Sequence, residues 1–171
     1  IQTIDKFIIL KGYLDAGFIG DNEIILFTDA YDVLVIDNHS EILARFNGFG
    51  CDILFNAESN IFPYREAEKL QFDQLKSKWR YLNSGCYVGY AWAISSFLSD
   101  CIAKMMNMPR HHSLDQQLAQ DYYLNHSRES ISLDIECSIF GTLHESLNDY
   151  QLHGDCVLNS TSGGRPCVIH A

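Results

Sequence analysis

Apolar positions along the chain fall into short solid runs and longer periodic stretches, with polar punctuation between them. Glu23-Ile-Ile-Leu-Phe-Thr28 is a continuous apolar run ending in polar residues. Such a run predicts a strand buried on both faces, of the parallel-sheet kind, because a half-solvated strand would alternate. Asp52-Ile-Leu-Phe-Asn56 and Cys86-Tyr-Val-Gly-Tyr90 predict two more buried strands. Between the first two, Ser40 reads as an N-cap. Ile42, Leu43 and Phe46 follow at helical spacing, and Gly48 and Gly50 stop the helix. The clearest helix follows the third strand. Ile94, Phe97, Leu98, Cys101, Ile102 and Met105 recur at helical spacing, and Pro109 lies beyond its end. That face suits packing on a sheet better than a cofactor box. Ser113-Leu-Asp-Gln116 is a capping-box pattern opening a helix through Leu118 and Tyr122.

Short strands are expected at Ile131–Leu133, Ser138–Phe140, Cys156–Leu158 and Pro166–Ile169. Gly141–Asp155 and the Ser/Gly-rich Asn159–Arg165 are expected to be loops, the second a mobile one. Strands alternating with helices predict an α/β fold, a mixed and mostly parallel sheet with crossover connections and flanking helices.

Composition narrows the function classes. The 171 residues suit a single domain over 1–171, with room for a hydrophobic core. Twelve Lys and Arg against 22 Asp and Glu give a formal net charge of −10. That acidity argues against nucleic acid as the main partner, which would need a cationic surface. It is compatible with carboxylates gathered around a divalent cation. No apolar run approaches the roughly 18 residues that span a bilayer. Six cysteines carry no C-x-x-C pair, so buried thiols are favoured over a zinc site, with disulfides open if the chain is lumenal. Sequons at Asn38, Asn125 and Asn159 give a slight secretory hint. The chain starts at Ile1 and reads as a fragment or a processed product.

The sharpest chemistry is Phe27-Thr28-Asp29-Ala30-Tyr31-Asp32-Val33. Two carboxylates follow the end of a buried strand, where open α/β sheets bind ligands. A hard cation such as Mn²⁺ or Mg²⁺ takes oxygen ligands and keeps places for substrate phosphates. The residues alone leave an equal alternative, in which Asp29 and Asp32 only form a turn or cap a helix.

Several blocks of the chain, in one order, resemble the glycosyltransferase domains of procollagen lysyl hydroxylases and their viral and procollagen galactosyltransferase-type relatives. They are Ile25–Val35; Ile53–Ser59 with Phe62-Pro63; Arg80–Gly85 with Val88–Ala91; Asp115-Gln116; Leu133-Asp134 with Ile139-Phe140; and Pro166–His170. The resemblance implies a GT-A-like, Rossmann-like fold. It also implies transfer of a hexose from a UDP-sugar to an acceptor hydroxyl, hydroxylysine or glycosyl-hydroxylysine of a collagen-like protein. By the same resemblance Asp29, Asp32 and His170 hold Mn²⁺, with Mg²⁺ as the alternative. Tyr31 contacts the nucleotide, Lys6 lies near the diphosphate, and Phe62, Ser84 and Gly85 complete the donor-binding set. Asp115 and Asn83 are the catalytic candidates, and Glu58 is a weaker pocket residue. His111, His112, His126, His144 and His153 are expected at the surface.

The chain departs from that family in three places. Lysyl hydroxylase relatives carry a run of acids where this chain has His111-His-Ser-Leu114. Their tryptophan before the proline is Phe62 here, which loses an indole N–H and keeps an apolar wall. The family's first strand and helix, at the uracil end of the donor, would precede Ile1. The rival expectations are a non-catalytic, degenerate binding or scaffold domain and, more weakly, a metal-dependent phosphohydrolase. By resemblance the location is the endoplasmic reticulum lumen for a cellular protein and the host cell or virion for a viral one. An oligomer is left open.

Overall fold

Alternation within each central strand divides the molecule into two packed layers. The computed structural model describes residues 5–106, 114–127 and 129–171. The elements run α1 (Asp5–Asp15), β1 (Ile24–Thr28), β2 (Val33–Val35), α2 (His39–Phe49), β3 (Ile53–Glu58), α3 (Glu66–Phe72), β4 (Tyr81–Tyr90), α4 (Ala91–Met105) and α5 (Leu114–Asn125). Then come β5 (Ile131–Leu133), β6 (Phe140–Thr142), a 3₁₀ turn (Leu147–Asp149), β7 (Tyr150–His153), β8 (Cys156–Asn159) and β9 (Val168–His170). The main sheet has the order β1-β4-β3-β5, a second sheet β2-β9-β6, and β7-β8 form a hairpin.

Ile53, Phe55 and Ala57 of β3 and Tyr87 of β4 face one layer, with Phe7 of α1, Phe97 of α4 and Leu118 of α5. Phe97 is the hub, its ring 5.1–5.7 Å from those of Phe7, Phe55, Tyr87 and Tyr122. Leu54, Cys86 and Val88 point the other way, onto Ile42 and Phe46 of α2 and Phe140 and Val168 of the second sheet. Burial on both sides explains why these strands lack alternation in sequence.

The α/β class holds, as helices flank sheets of mixed direction. The parallel majority does not. Four of the six strand pairings among the described residues are antiparallel, β1 with β4, β3 with β4, β2 with β9 and β7 with β8. The other two among the described residues, β3 with β5 and β6 with β9, are parallel. The Glu23–Thr28 run is thus antiparallel to its partner, and β1 is only partly buried. Burial on both faces makes an apolar run whatever the strand direction.

Other boundaries differ from those the pattern predicts. β4 begins at Tyr81, not Cys86, because Tyr81 and Leu82 pair with Glu58 and Ala57, past a bulge between Phe55 and Asn56. The N-cap of α2 is Asn38, whose side chain accepts from the Glu41 N–H at 3.1 Å, while Ser40 lies inside the helix. Gly50 ends that helix in the left-handed region, φ 63°. Helices α1 and α3 and strand β7 had no sequence signal strong enough to predict them. Residues 159–165 are tied rather than slack. Asn159 is fully buried, accepts the N–H groups of Thr161 and Ser162 at 3.0 Å, and donates to Cys137 Sγ. Pro109, His111, His112 and the Ser113 cap lie outside the described residues. Five cysteines are buried thiols and Cys156 is half-buried. Among the described residues no helix is long and apolar enough to cross a membrane.

Candidate functional site

The strand ends bring distant residues to one place. Asp29 follows β1, and its N–H donates to the Gly85 carbonyl of β4 at 2.7 Å. The chain then turns tightly through Asp32 into β2. Val33 pairs with His170 of β9, and the Ala171 N–H donates to the Asp32 carbonyl at 2.8 Å. This register sets His170 Nε2 3.5 Å from Asp32 Oδ2. From the other edge of β9, Thr142 of β6 lies in register with His170, and the Leu143 N–H donates to the His170 carbonyl at 2.8 Å. Thr142 is fixed by buried hydrogen bonds to Asn56 and the Ala57 carbonyl of β3.

Gly85 measures how closely the groups converge. A Cβ there would lie 2.3 Å from His170 Cε1, 2.9 Å from Asp29 Oδ2 and 3.0 Å from Asn83 Oδ1. Only a residue without a side chain lets the carboxylate and imidazole approach this stretch of β4. His170 is itself buried, and its Nδ1 has no hydrogen-bond partner among the described residues. A buried imidazole that meets the Asp29 and Asp32 carboxylates across Gly85 fits a divalent cation in kind, since imidazole and carboxylate both suit such ions. As they stand, no three His, Cys, Asp or Glu side chains among the described residues form a group ready to hold a metal. The Asp29 carboxylate is engaged by a cation of the chain itself.

That cation is Lys6, in the first turn of α1. Its Nζ lies 3.0 and 3.3 Å from the two Asp29 carboxylate oxygens and 2.8 Å from Asp115 Oδ2. Burial disfavours the Lys6 charge, but the ion pair and hydrogen bond with Asp115, then those with Asp29, outweigh it. They hold its pKa above the ordinary lysine value. Asp115 stands in the first turn of α5, buried, and also accepts from Ser84 Oγ at 3.4 Å. Burial of Cys86 next to this cluster, reinforced by the Asp29 charge, pushes its thiol up to about 12.

A second network adjoins the first. Asn83 Oδ1 accepts from the Gly85 N–H at 2.9 Å, and its Nδ2 donates to Glu58 Oε2 at 3.3 Å. Gln116 Oε1 accepts from the Ser84 N–H at 3.3 Å, while its Nε2 donates to Glu58 Oε1 and to the Phe62 carbonyl. Gln120, one turn on, also donates to the Phe62 carbonyl, at 3.0 Å. Burial raises the Glu58 carboxyl to about 7, against the pull of the Asn83 and Gln116 hydrogen bonds. Gln116 enters the sequence reading only within the Asp115-Gln116 block and the capping-box pattern, with no site role, and Gln120 does not enter it. Their four-residue spacing on one helix face was the available signal.

Asp29, Asp32, His170, Lys6, Asp115, Asn83, Ser84 and Gly85 therefore meet. Tyr31 and Phe62 do not join them as packed walls. Tyr31 projects fully into solvent from the Asp29–Asp32 turn, and Phe62 is 59% exposed while its carbonyl is held. His126, His144 and His153 are exposed, as expected.

Comparison with known proteins gives the chain its family. A family model described as the PLOD GT domain matches residues 4–171. A procollagen-lysine,2-oxoglutarate 5-dioxygenase of Drosophila melanogaster is 31% identical over 159 residues, 86% of this chain and 21% of the relative. The human multifunctional procollagen lysine hydroxylase and glycosyltransferase is 29% identical over 158 residues, 88% of this chain and 20% of the relative. An uncharacterised protein of Acanthamoeba polyphaga mimivirus is 23% identical over 153 residues, 89% of this chain and 32% of the relative. The chain thus spans about a fifth of the length of the hydroxylases it matches and about a third of the viral protein. With a family model matching nearly its whole length, this chain belongs to the PLOD GT domain family, a glycosyltransferase-like group.

Proposed function

We propose that this chain forms the metal- and donor-binding core of a transferase. It would move a hexose from a UDP-sugar to a hydroxyl of a collagen-like acceptor, hydroxylysine or glycosyl-hydroxylysine. The observation that carries the reading is the convergence of Asp29, Asp32 and the buried His170 imidazole across Gly85, with His170 Nε2 3.5 Å from Asp32 Oδ2. Asp29, Asp32 and His170 would hold Mn²⁺, with Mg²⁺ as the alternative. A divalent ion there supplies positive charge next to the donor diphosphate and its departing product. Lys6 contributes a second, mobile positive charge for a diphosphate oxygen. Asn83 and Ser84 line the sugar side, with Gly85 allowing close backbone approach. Asp115, at a helix N-terminus, takes the proton of the acceptor hydroxyl or orients it. Tyr31 and Phe62, both exposed, are free to close on the nucleotide and the sugar.

A UDP-sugar turnover assay with and without Mn²⁺ tests this. Turnover that needs metal and is lost in Asp32→Ala supports it. Metal-independent turnover, or full activity in Asp32→Ala, overturns it.

One observation favours a second reading, a non-catalytic binding module. Lys6 engages both Asp29 and Asp115, so the proposed ligand and the proposed base are both neutralised. Calorimetry with UDP and Mn²⁺ separates the two, since a scaffold domain would bind neither.

A further inference from the structure

Lys6 occupies an unusual place for a surface-helix lysine. Its side chain is four-fifths buried, and one Nζ faces carboxylates from two different elements, Asp29 after β1 and Asp115 of α5. Both Asp29 oxygens fall within 3.3 Å of it. A metal ion approaching Asp29 therefore meets an oxygen pair already sharing its charge with an ammonium group. It also meets the ammonium itself as a like charge at short range.

Building on the reading of Asp29, Asp32 and His170 as a metal site, we propose that Lys6 is a built-in counter-cation. It guards Asp29 until an anionic diphosphate arrives and so makes divalent-metal binding conditional on the donor. Lys6 can release Asp29 by side-chain rotation alone, because its four-carbon stem is flexible and Asp115 still holds it from the other side. A diphosphate supplies oxygens that accept the displaced ammonium. Metal and diphosphate thus favour the same Lys6 position. Linkage then requires that each raise the affinity for the other by one common factor.

The device differs from a lysine that only adds donor contacts. A donor contact predicts that removing Lys6 weakens UDP binding and leaves metal binding alone untouched. A guard predicts that removing Lys6 tightens the binding of metal alone.

The test is calorimetric titration of Mn²⁺ into the full chain, with and without UDP, for the wild type, Lys6→Met, Asp29→Asn and Asp32→Asn. Lys6→Met leaves Asp115 buried without its ion-pair partner, so the double variant Lys6→Met/Asp115→Asn is run beside it, with circular dichroism confirming the fold. The expected result is wild-type Mn²⁺ binding that strengthens at least about tenfold with UDP, within the usual range of coupling. In both Lys6 variants Mn²⁺ alone binds at least about tenfold tighter than in the wild type, and the effect of UDP shrinks. No gain in either Lys6 variant, with Mn²⁺ binding still lost in Asp29→Asn and Asp32→Asn, overturns this inference and leaves the metal site standing. Mn²⁺ binding unchanged in Asp29→Asn and Asp32→Asn, or absent from every protein with UDP present, overturns the metal site and the inference together.

Discussion

Glu58→Gln is the most informative single substitution for the network of Glu58, Asn83 and Gln116. Glu58 is buried at the end of β3, and burial raises its carboxyl from 4.5 to about 7. The two amides facing it cannot turn round to help a protonated form. Asn83 uses its oxygen on the Gly85 N–H and Gln116 uses its own on the Ser84 N–H, so both present N–H groups to Glu58. The sign follows from the raised folded value. Below 4.5 both folded and unfolded forms carry the proton; between 4.5 and about 7 the unfolded chain has lost it and the folded one keeps it. Stability therefore falls as pH rises through that window. At about 1.4 kcal/mol per pH unit the loss is about 3 kcal/mol, or roughly 6–12 °C in Tm for a chain of this size. Glu58→Gln cannot titrate. It places an N–H₂ against one of two amide donors, costing about 1–3 kcal/mol at low pH. Thermal and urea denaturation of both proteins from pH 4 to 8.5 provides the measurement. The wild type starts ahead at low pH, and the gap closes by about 3 kcal/mol by pH 8. A wild-type-minus-variant difference that stays flat across the range refutes the reasoning.

Three further predictions concern the frame around the site. Gly85→Ala forces His170 and Asp29 apart, because its Cβ would lie 2.3 Å from His170 Cε1. It should cost about 1–3 kcal/mol in urea unfolding and abolish Mn²⁺ uptake by calorimetry. Asp134→Ala strips the buried acceptor from the N–H groups of Ser138, Ile139 and Phe140, now at 2.6–2.8 Å, and should cost about 3 kcal/mol or more by denaturation. Asn159 should carry no glycan when the chain is expressed through a secretory pathway, since its side chain is buried and fully engaged. Peptide mass spectrometry that found Asn159 occupied in folded protein would contradict this packing.

Local rules recovered the elements whose signal is local. The α4 stripe is buried at Ile94, Phe97, Leu98 and Cys101, and Ile131–Leu133 is a strand with the expected bounds. Asp29 and Asp32 could be picked out because their spacing and strand context lie within one short segment. Helix α1 could not, since it buries only Phe7 and has no clear apolar stripe. Lys6 thus entered by resemblance, and its bridge between Asp29 and Asp115 could not be read from neighbouring residues. The Glu58 environment was equally hidden. Its raised carboxyl depends on burial and on which way two amides face, and neither is encoded in spacing.

Strand direction matters most to how the site is assembled. The order of apolar runs predicts a parallel sheet, and in such a sheet each strand offers its C-terminal end to the ligand side. β4 would then present Tyr90 and Ala91, leaving Asn83-Ser84-Gly85 remote from the carboxylates. Instead β4 runs antiparallel to both β1 and β3. Its early part therefore lies beside their C-terminal ends, with Cys86 opposite Thr28 and Tyr81 opposite Glu58. Asn83, Ser84 and Gly85 fall between those two contacts. That position lets Gly85 touch the Asp29 and His170 side while Asn83 reaches Glu58. The reversal of one central strand thus makes a mid-strand stretch, rather than a strand-end loop, the floor of the site.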